Sequence, residues 1–239
     1  MSFKVYVINE AESLKKDDVR AAVKAIALQV KEHFNPAWGI NARVLNAPKD
    51  LSKISADGLV FLRDSPPKGA DYAGYHDRDT KSGISLGYSF TKISEDLDEN
   101  WSVTLSHEIL ELLGNRHVNY YALGPHPTQK RIVMHWLEMC DAVQSQSYEI
   151  GKDGVLVSDF LTPLYFTPET EVSKGNHFLS GKLASFGCAR GGYLGFWDPK
   201  TGKDQNYFAD KKAEKRYSIK KKSGLFRRRA RLSEISKGF

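Results

Sequence analysis

The stretch that most constrains the fold is W-S-V-T-L-S-H-E-I-L-E-L-L-G, residues 101–114. Apart from His107, Glu108 and Glu111 its residues are apolar or uncharged on nearly every side, which predicts one buried helix. A spacing of four residues places His107 and Glu111 on the same helix face, one turn apart, with Glu108 to the side. Burial of these groups without partners would cost about 2–7 kcal/mol each. Metal coordination, salt bridges or protonation are therefore expected there.

The H-E-x-x-E pattern differs by one residue from the H-E-x-x-H motif of many metallopeptidases. In that motif two helix side chains bind zinc, and the glutamate between them is the general base for the water that the metal activates. Here His107 and Glu111 are the predicted metal ligands. Glu108 is the predicted catalytic residue, which takes a proton from water and later delivers it to the leaving amine. The competing interpretation is an ordinary helix with a satisfied histidine and two exposed glutamates.

Hydrophobic periodicity and turn residues predict an α+β order of elements around this helix. Asp98 and Asn100 are candidate N-caps of the helix, and Gly114 is a candidate left-handed C-cap. The predicted elements before the helix are a strand at 3–8, a helix at 17–34 ended by Pro36, strands at 42–45 and 58–62, a polar surface loop at 64–82 and a strand at 84–90. Those after it are strands at 132–139, 155–160, 164–166 and 193–197 and a hairpin turn at 198–202. The predicted division is one domain over 1–205 and a basic tail over 206–239.

This order resembles the zincin fold of metallopeptidases, in which a backing helix and a twisted mixed sheet precede the buried active-site helix. The resemblance implies a zincin-like α+β domain with a β-rich C-terminal part, in which 17–34 is the backing helix and 84–90 the strand that lines the cleft. The chain also resembles a family of bacterial and phage proteins, which implies a phage-related protein. The blocks that carry this second resemblance are E-H-F-N-P-A-W-G-I (32–40), G-Y-H-D (74–77), S-H-E-I-L-E-L-L (106–113), L-E-M-C-D-A-V-Q (137–144), V-S-D-F-L-T-P-L-Y-F (157–166) and G-G-Y-L (191–194).

A catalytic zinc keeps three protein ligands and one open position, so a third ligand is needed. His117 matches the metzincin spacing H-E-x-x-H-x-x-G-x-x-H, with Glu111 in place of the second histidine and Gly114 turning the chain back. Glu138 and Asp141 resemble instead the downstream carboxylate of gluzincins. One histidine with two carboxylates would neutralise a dication and weaken its Lewis acidity. The resemblance slightly favours Glu138 over Asp141, and the choice among the three residues stays open.

Other polar residues are more typical of packing or surface positions than of catalysis. Candidates for stabilising a transition state are Tyr148, Tyr165 and His126. His76 is of interest because it precedes the predicted cleft strand. Cys140 could be a nucleophile, but spacing assigns it no histidine partner. The remaining histidines are His33, His135 and His177.

Charge is concentrated at the C-terminus. Residues 211–231 hold eleven Lys or Arg against Glu214, a net +10, which leaves a net charge of −4 on the rest. The tail is therefore either a solvated terminus or a contact for nucleic acid or an anionic surface. The absence of an apolar run of about 18 residues predicts no membrane span. The charged N-terminus and the presence of only two cysteines predict a cytoplasmic protein.

These observations predict a hydrolase that uses zinc or another divalent metal, most plausibly a metallopeptidase or amidase acting on a peptide or protein. Two alternatives belong to other classes. One is a non-catalytic structural or binding protein stabilised by a metal, associated with phage. The other is a nucleic-acid-associated protein that acts through its basic tail.

Overall fold

The computed structural model of the chain describes residues 2–65, 74–79, 82–168 and 175–221. Within these ranges the protein is α+β, as predicted, with helices packed on mixed and antiparallel sheets. Every helix in the described part of the chain is too short or too polar to span a bilayer.

The N-terminal half is a five-stranded sheet in the order β2-β1-β3-β5-β4. All neighbours are parallel except β4, which lies antiparallel to β5 at the edge of the sheet. The prediction of a surface loop over 64–82 is therefore wrong in part, because this range contains β4. The predicted cleft strand is β5, which lies inside the sheet rather than at its edge. The strands are β1 Phe3–Asn9, β2 Ala42–Asn46, β3 Gly58–Arg63, β4 Gly74–Arg78 and β5 Ser85–Phe90.

The first helical segment continues beyond the predicted end at Pro36. Helix α1 (Lys16–Gln29) passes through a π-helical turn (Val30–Phe34) into α2 (Asn35–Trp38). The Asn35 N–H bonds to the Val30 carbonyl five residues back, and this wider turn accommodates Pro36, which has no N–H to donate. The segment ends at Gly39, whose φ of 61° favours glycine.

The central helix agrees with prediction at its start and differs at its end. After α3 (Thr91–Asp96), helix α4 runs over Trp101–Gly114, and the Asn100 side chain accepts the Ser102 N–H at 2.9 Å, which confirms this N-cap. The predicted left-handed cap at Gly114 is wrong, because Gly114 is the last helical residue and does not have a positive φ. The Met139 side chain packs into the space beside Gly114, where a Cβ would lie 2.2 Å from Cε of Met139.

The C-terminal half contains an antiparallel sheet in the order β11-β10-β7-β6 and a separate hairpin of β8 and β9. The predicted hairpin turn at 198–202 is confirmed, since it joins β10 to β11. The predicted strand at 164–166 is wrong, because Pro163–Phe166 forms a 3-10 turn. The strands are β6 Tyr121–His126, β7 Gln129–Trp136, β8 Ser147–Ile150, β9 Val155–Ser158, β10 Tyr193–Asp198 and β11 Lys203–Phe208.

The last described element is helix α5, Lys211–Lys221. It packs against the C-terminal sheet, where the Tyr217 ring lies 4.7 Å from Tyr193, and its Arg216 pairs with Glu99 at 2.5 Å. Strand β11 ends at Phe208, three residues past the predicted domain boundary. The rest of the predicted basic contact, over 222–231, lies outside the described residues.

Candidate metal centre

Helix α4 presents His107 and Glu111 together, as the four-residue spacing predicts. The Nε2 atom of His107 lies 3.2 Å from Oε1 of Glu111. Both side chains are buried, with residue exposures of 7% and 5%. Burial follows from the position of α4, whose apolar residues Leu105, Ile109 and Leu112 are fully enclosed in the core. The helix therefore holds an imidazole and a carboxylate side by side away from bulk water.

A second element, which follows α4 in the chain, also approaches Nε2 of His107. The 3-10 turn Asp141–Val143 follows β7, and Oδ1 of Asp141 lies 3.4 Å from Nε2 of His107. Cys140 fastens this turn to α4, because its N–H donates to Oε1 of Glu111 at 3.3 Å and its thiol donates to the His107 carbonyl at 3.9 Å. One histidine nitrogen thus faces two carboxylates from two separate elements.

Cys140 also offers an atom that can bind a metal. A metal-binding atom of Cys140 lies within 4.8 Å of the corresponding atoms of His107 and Glu111, and all three residues are buried. These three residues could hold a metal ion. Sequence reasoning considered Cys140 only as a nucleophile. The signal that could have found it is its place directly before Asp141, since a turn that delivers one of these side chains brings the other close.

The two N–O distances fit neighbouring ligands of one cation better than a strong ion pair. Zinc bonds of 2.0–2.2 Å to nitrogen and oxygen place adjacent tetrahedral ligands about 3.3–3.5 Å apart. A charge-assisted hydrogen bond between the same groups is shorter, about 2.7–2.9 Å. The observed 3.2 and 3.4 Å lie closer to the ligand spacing. Nε2 of His107 and Oε1 of Glu111 could therefore be neighbouring ligands of one metal ion.

The buried charges around His107 depend strongly on one another. Burial by itself would lower the pKa of His107, but the Glu111 carboxylate, the hydrogen bonds to Asp141 and Glu111 and the charge of Glu108 outweigh it and raise this pKa well above its usual value. Burial also raises the pKa of Glu111, and the Asp141 charge adds to the effect, although His107 opposes it. The site therefore favours positive charge at its centre, whether a proton or a metal supplies it.

The remaining predicted carboxylates flank this centre. Glu108 is buried, with 6% of its surface exposed, and acts on His107 through its charge. Glu138 is buried at 8% and lines, with Asp141, a small cleft. The other walls of this cleft include His135, Trp136, Tyr165, Phe166 and Leu194.

His117 lies apart from this group. Its side chain is exposed, and its ring meets Tyr120 edge-on with the centroids 5.6 Å apart. Helix α4 ends at Gly114 without a left-handed turn. The donors that the structure brings within ligand distance of one another are His107, Glu111 and Cys140, with Asp141 beside His107.

Most of the other predicted candidates are engaged in local packing. Tyr148 accepts a hydrogen bond from Gln29 at 3.1 Å and contacts Nδ1 of His33 at 2.9 Å. Tyr165 lines the cleft, but its hydroxyl donates to the Gly187 carbonyl at 2.6 Å. His76 lies on β4, beside Gly87 of β5 in the register.

Three more histidines are held by partners near them. His126 is buried with its ring 5.2 Å from that of Phe196. His135 places Nε2 at 2.8 Å from the Pro125 carbonyl, and burial lowers the pKa of His135. His177 places Nδ1 at 2.6 Å from Oδ2 of Asp159. The contacts of His135 and His177 are typical of satisfied buried histidines, whereas Nε2 of His126 is buried without a hydrogen-bond partner in the described part of the chain.

Comparison of the chain with family models, with curated proteins and with solved structures finds no match. The function of the centre must therefore follow from the chemistry and geometry of its own residues.

Proposed function

We propose that the protein is a zinc-dependent hydrolase of peptide or amide bonds, with a zincin-like arrangement of its N-terminal half. Three features support the fold assignment. Helix α1 lies beside the sheet as a backing helix, β4 is an antiparallel edge strand on an otherwise parallel sheet, and α4 carries the H-E-x-x-E residues. In this proposal β4, and not the strand over 84–90, takes the place of the zincin edge strand.

The observation that carries the proposal is the convergence of two carboxylates on one histidine nitrogen inside the core. Buried charges are rare without compensation, and a dication compensates two carboxylates at once. His107, Glu111 and Asp141 would hold the metal, which leaves one position of a tetrahedral site open. Among the three predicted third ligands, Asp141 is chosen because its oxygen lies 3.4 Å from Nε2 of His107.

The bound metal would supply Lewis acidity and lower the pKa of a water molecule. Glu108 is the residue of this chain that would take the proton from that water and deliver it to the leaving amine. Its place next to His107 on α4, buried at 6%, keeps the carboxylate close to the metal ligands. Two carboxylate ligands reduce the Lewis acidity, so the proposed enzyme is a slow one compared with sites made of neutral ligands.

A second candidate function is a metal-stabilised protein without hydrolytic activity. The observation that favours it is Cys140, whose donor atom lies within 4.8 Å of those of His107 and Glu111. Four protein ligands close a tetrahedral zinc site, and closed sites are structural. If Cys140 joins Asp141 and the two helix residues on one ion, no position remains for water.

The test is hydrolysis of a mixed peptide library by the zinc-loaded full-length protein and by Glu108→Gln. The proposed enzyme cleaves peptides, and Glu108→Gln lowers the rate about 10²–10⁴-fold while the bound zinc stays at one ion per chain. Glu149→Gln, at an exposed glutamate on β8, is the matched control and keeps full activity.

The two candidate functions separate in the same experiment. Zinc at one ion per chain with no cleavage of any peptide would contradict the hydrolase and support the structural role. Cleavage that Glu108→Gln leaves unchanged would show that the activity comes from elsewhere in the molecule or the preparation.

A further inference from the structure

Helix α5 is strongly basic, and the proposed hydrolase does not use it. Its sequence, K-K-A-E-K-R-Y-S-I-K-K, contains six Lys or Arg against one Glu. Lys211 and Lys212 lie in the first turn, where the positive end of the helix dipole disfavours cations. Their charges therefore do not stabilise the helix that carries them, and its basic character needs another explanation.

The inner side of α5 fixes the orientation of the helix. Ala213 is fully buried, and the Tyr217 ring packs on Tyr193 with the centroids 4.7 Å apart. Arg216 pairs with Glu99 at 2.5 Å, and both side chains are largely buried. These contacts use the apolar residues of the helix and one of its cations, and they leave three lysines on the outer side.

The cations of the outer side lie in solvent. Lys211, Lys212 and Lys215 are exposed, and none of them forms an ion pair within the described part of the chain. Arg190 is exposed in the loop before β10, and the N–H of the glycine that follows it donates to Asp210 at 2.8 Å. This hydrogen bond brings Arg190 to the start of α5. We call the surface formed by these four cations the basic face.

The acidic groups beside the basic face do not neutralise it. Asp210 caps α5, because its carboxylate accepts the N–H of Ala213 at 2.8 Å, and Glu214 is the one acidic residue in the sequence of the helix. Two carboxylates against four cations leave a net charge of +2. The sequence adds seven further Lys or Arg and no acidic residue over 220–231. The basic face therefore belongs to the most positively charged part of the chain.

We propose that the basic face binds the phosphate backbone of nucleic acid without selecting a base sequence. Charge complementarity supports this partner, because a duplex carries one negative charge per about 1.7 Å of its axis and so matches a dense group of cations. Lysines contact phosphates as point charges. Stacking on bases needs an exposed aromatic ring, and the one aromatic residue of α5, Tyr217, is packed on the sheet.

Other polyanions match the basic face less well. A peripheral helix binds an anionic membrane by burying an apolar side below its cations. In α5 the apolar residues Ala213 and Tyr217 are already packed against the protein, so this side is not available to lipid. Protein surfaces intersperse charges of both signs, whereas a nucleic-acid backbone presents negative charge without interruption.

The test is binding of a fluorescein-labelled DNA duplex of mixed sequence, about 20 base pairs long, to the full-length protein. Fluorescence anisotropy measures the affinity between about 50 and 200 mM salt, and four phosphate contacts predict a loss of about 100-fold over this range in wild type. The triple variant Lys211→Glu, Lys212→Glu, Lys215→Glu is expected to bind at least about tenfold more weakly at the lower salt. Its slope of log affinity against log salt should be shallower by about 3.

The matched control is the triple variant Lys15→Glu, Lys16→Glu, Lys24→Glu. It reverses three exposed lysines on or next to α1 and changes the net charge by the same amount. Because charges beyond about 10 Å are screened, this control should stay within about threefold of the wild-type affinity. Circular dichroism verifies that both variants are folded.

Three results would overturn the proposal. The first is a wild type that does not bind the duplex at the lower salt, and the second is an equal loss of affinity in the two triple variants. The third comes from competition, in which vesicles of anionic phospholipid or polyglutamate displace the labelled duplex as well as unlabelled duplex does at equal charge. The proposal predicts that both competitors are much weaker than the duplex.

Discussion

Two buried histidines of this protein, His107 and His177, sit beside carboxylates in different ways. Nδ1 of His177 makes one short contact of 2.6 Å with Oδ2 of Asp159, while Oδ1 of Asp159 accepts the N–H groups of Phe160 and Leu179. Nε2 of His107 instead faces the carboxylates of two residues, at 3.2 and 3.4 Å. The first histidine nitrogen has one carboxylate partner at a short distance, and the second has two at longer distances.

The difference separates a histidine that is paired with one carboxylate from one that is a candidate metal ligand. In the His177 pair each charge is matched by one opposite group and the spare oxygen by backbone donors, which is how buried ion pairs are satisfied. At His107 two carboxylates from separate elements lie 3.2 and 3.4 Å from one nitrogen, an arrangement that a shared cation would also satisfy. The predictions below test this contrast, from the largest effect to the smallest.

Replacement of Asp159, the carboxylate paired with His177, should have the largest effect on the stability of the protein. Asp159→Ala leaves His177 and two backbone N–H groups without their acceptor, and we expect the free energy of unfolding to fall by about 3–5 kcal/mol. Urea denaturation of the metal-free protein measures it. Asp153→Ala, at an exposed position, is the control and should change this energy by less than about 0.5 kcal/mol. If Asp159→Ala is as stable as the control, the His177 pair does not have the structural role assigned to it.

Metal should stabilise the protein through His107 and not through His177. At free zinc one hundred times its dissociation constant, the free energy of unfolding should rise by about 2.7 kcal/mol in wild type, because only the folded chain offers the assembled site. His177→Ala should show the same rise and His107→Ala none. Thermal denaturation with and without zinc measures the difference. Equal stabilisation of wild type and His107→Ala would place the metal elsewhere.

The third ligand should be resolved by single substitutions at the candidate positions. Asp141→Asn should weaken zinc binding about 10–100-fold, whereas His117→Ala should leave it unchanged because His117 is exposed and apart from the centre. Competition with a chromogenic chelator measures the affinity. A large loss in Cys140→Ser together with no loss in Asp141→Asn would reverse the assignment in favour of Cys140.

The smallest effect should be a pH dependence from His177. The hydrogen bond to Asp159 is the main cause that raises the pKa of His177. A pKa that is higher in the folded state gives stability that is fully present below the unfolded value of about 6.5 and is lost as pH rises through the folded value. The metal-free wild type should therefore lose stability over this window, and His177→Gln should lose less. Equal slopes in urea titrations of the two proteins would contradict the assignment.

The sequence predicted those parts of the site that depend only on local chain geometry. His107 and Glu111 share a helix turn, so their spacing alone places them together, and Asn100 is recognisable as a cap beside them. Asp141 and Cys140 reach the site from a turn about thirty residues away, and nothing in the spacing shows which side chain of that turn faces the helix. The sequence therefore leaves the third ligand open among His117, Glu138 and Asp141.

The errors in the fold have similarly specific causes. Strand β4 was missed because Gly74–Arg78 contains one glycine, one histidine and two charged residues, and such an edge strand lacks a hydrophobic alternation. The helix beyond Pro36 was missed because a π-helical turn accommodates the proline, and the residue pattern does not predict such a turn. At Gly114 the glycine ends the helix and packs against Met139 without a left-handed cap, and the sequence does not distinguish these two roles.

The most direct test of the central claim is the zinc content of three folded proteins prepared side by side, measured by elemental analysis after dialysis against zinc and then buffer. Wild type and His177→Ala should retain about one zinc per chain, and His107→Ala should retain almost none, since only His107 belongs to the centre. Retention of zinc by His107→Ala, or its loss from His177→Ala with the fold intact, would contradict the account.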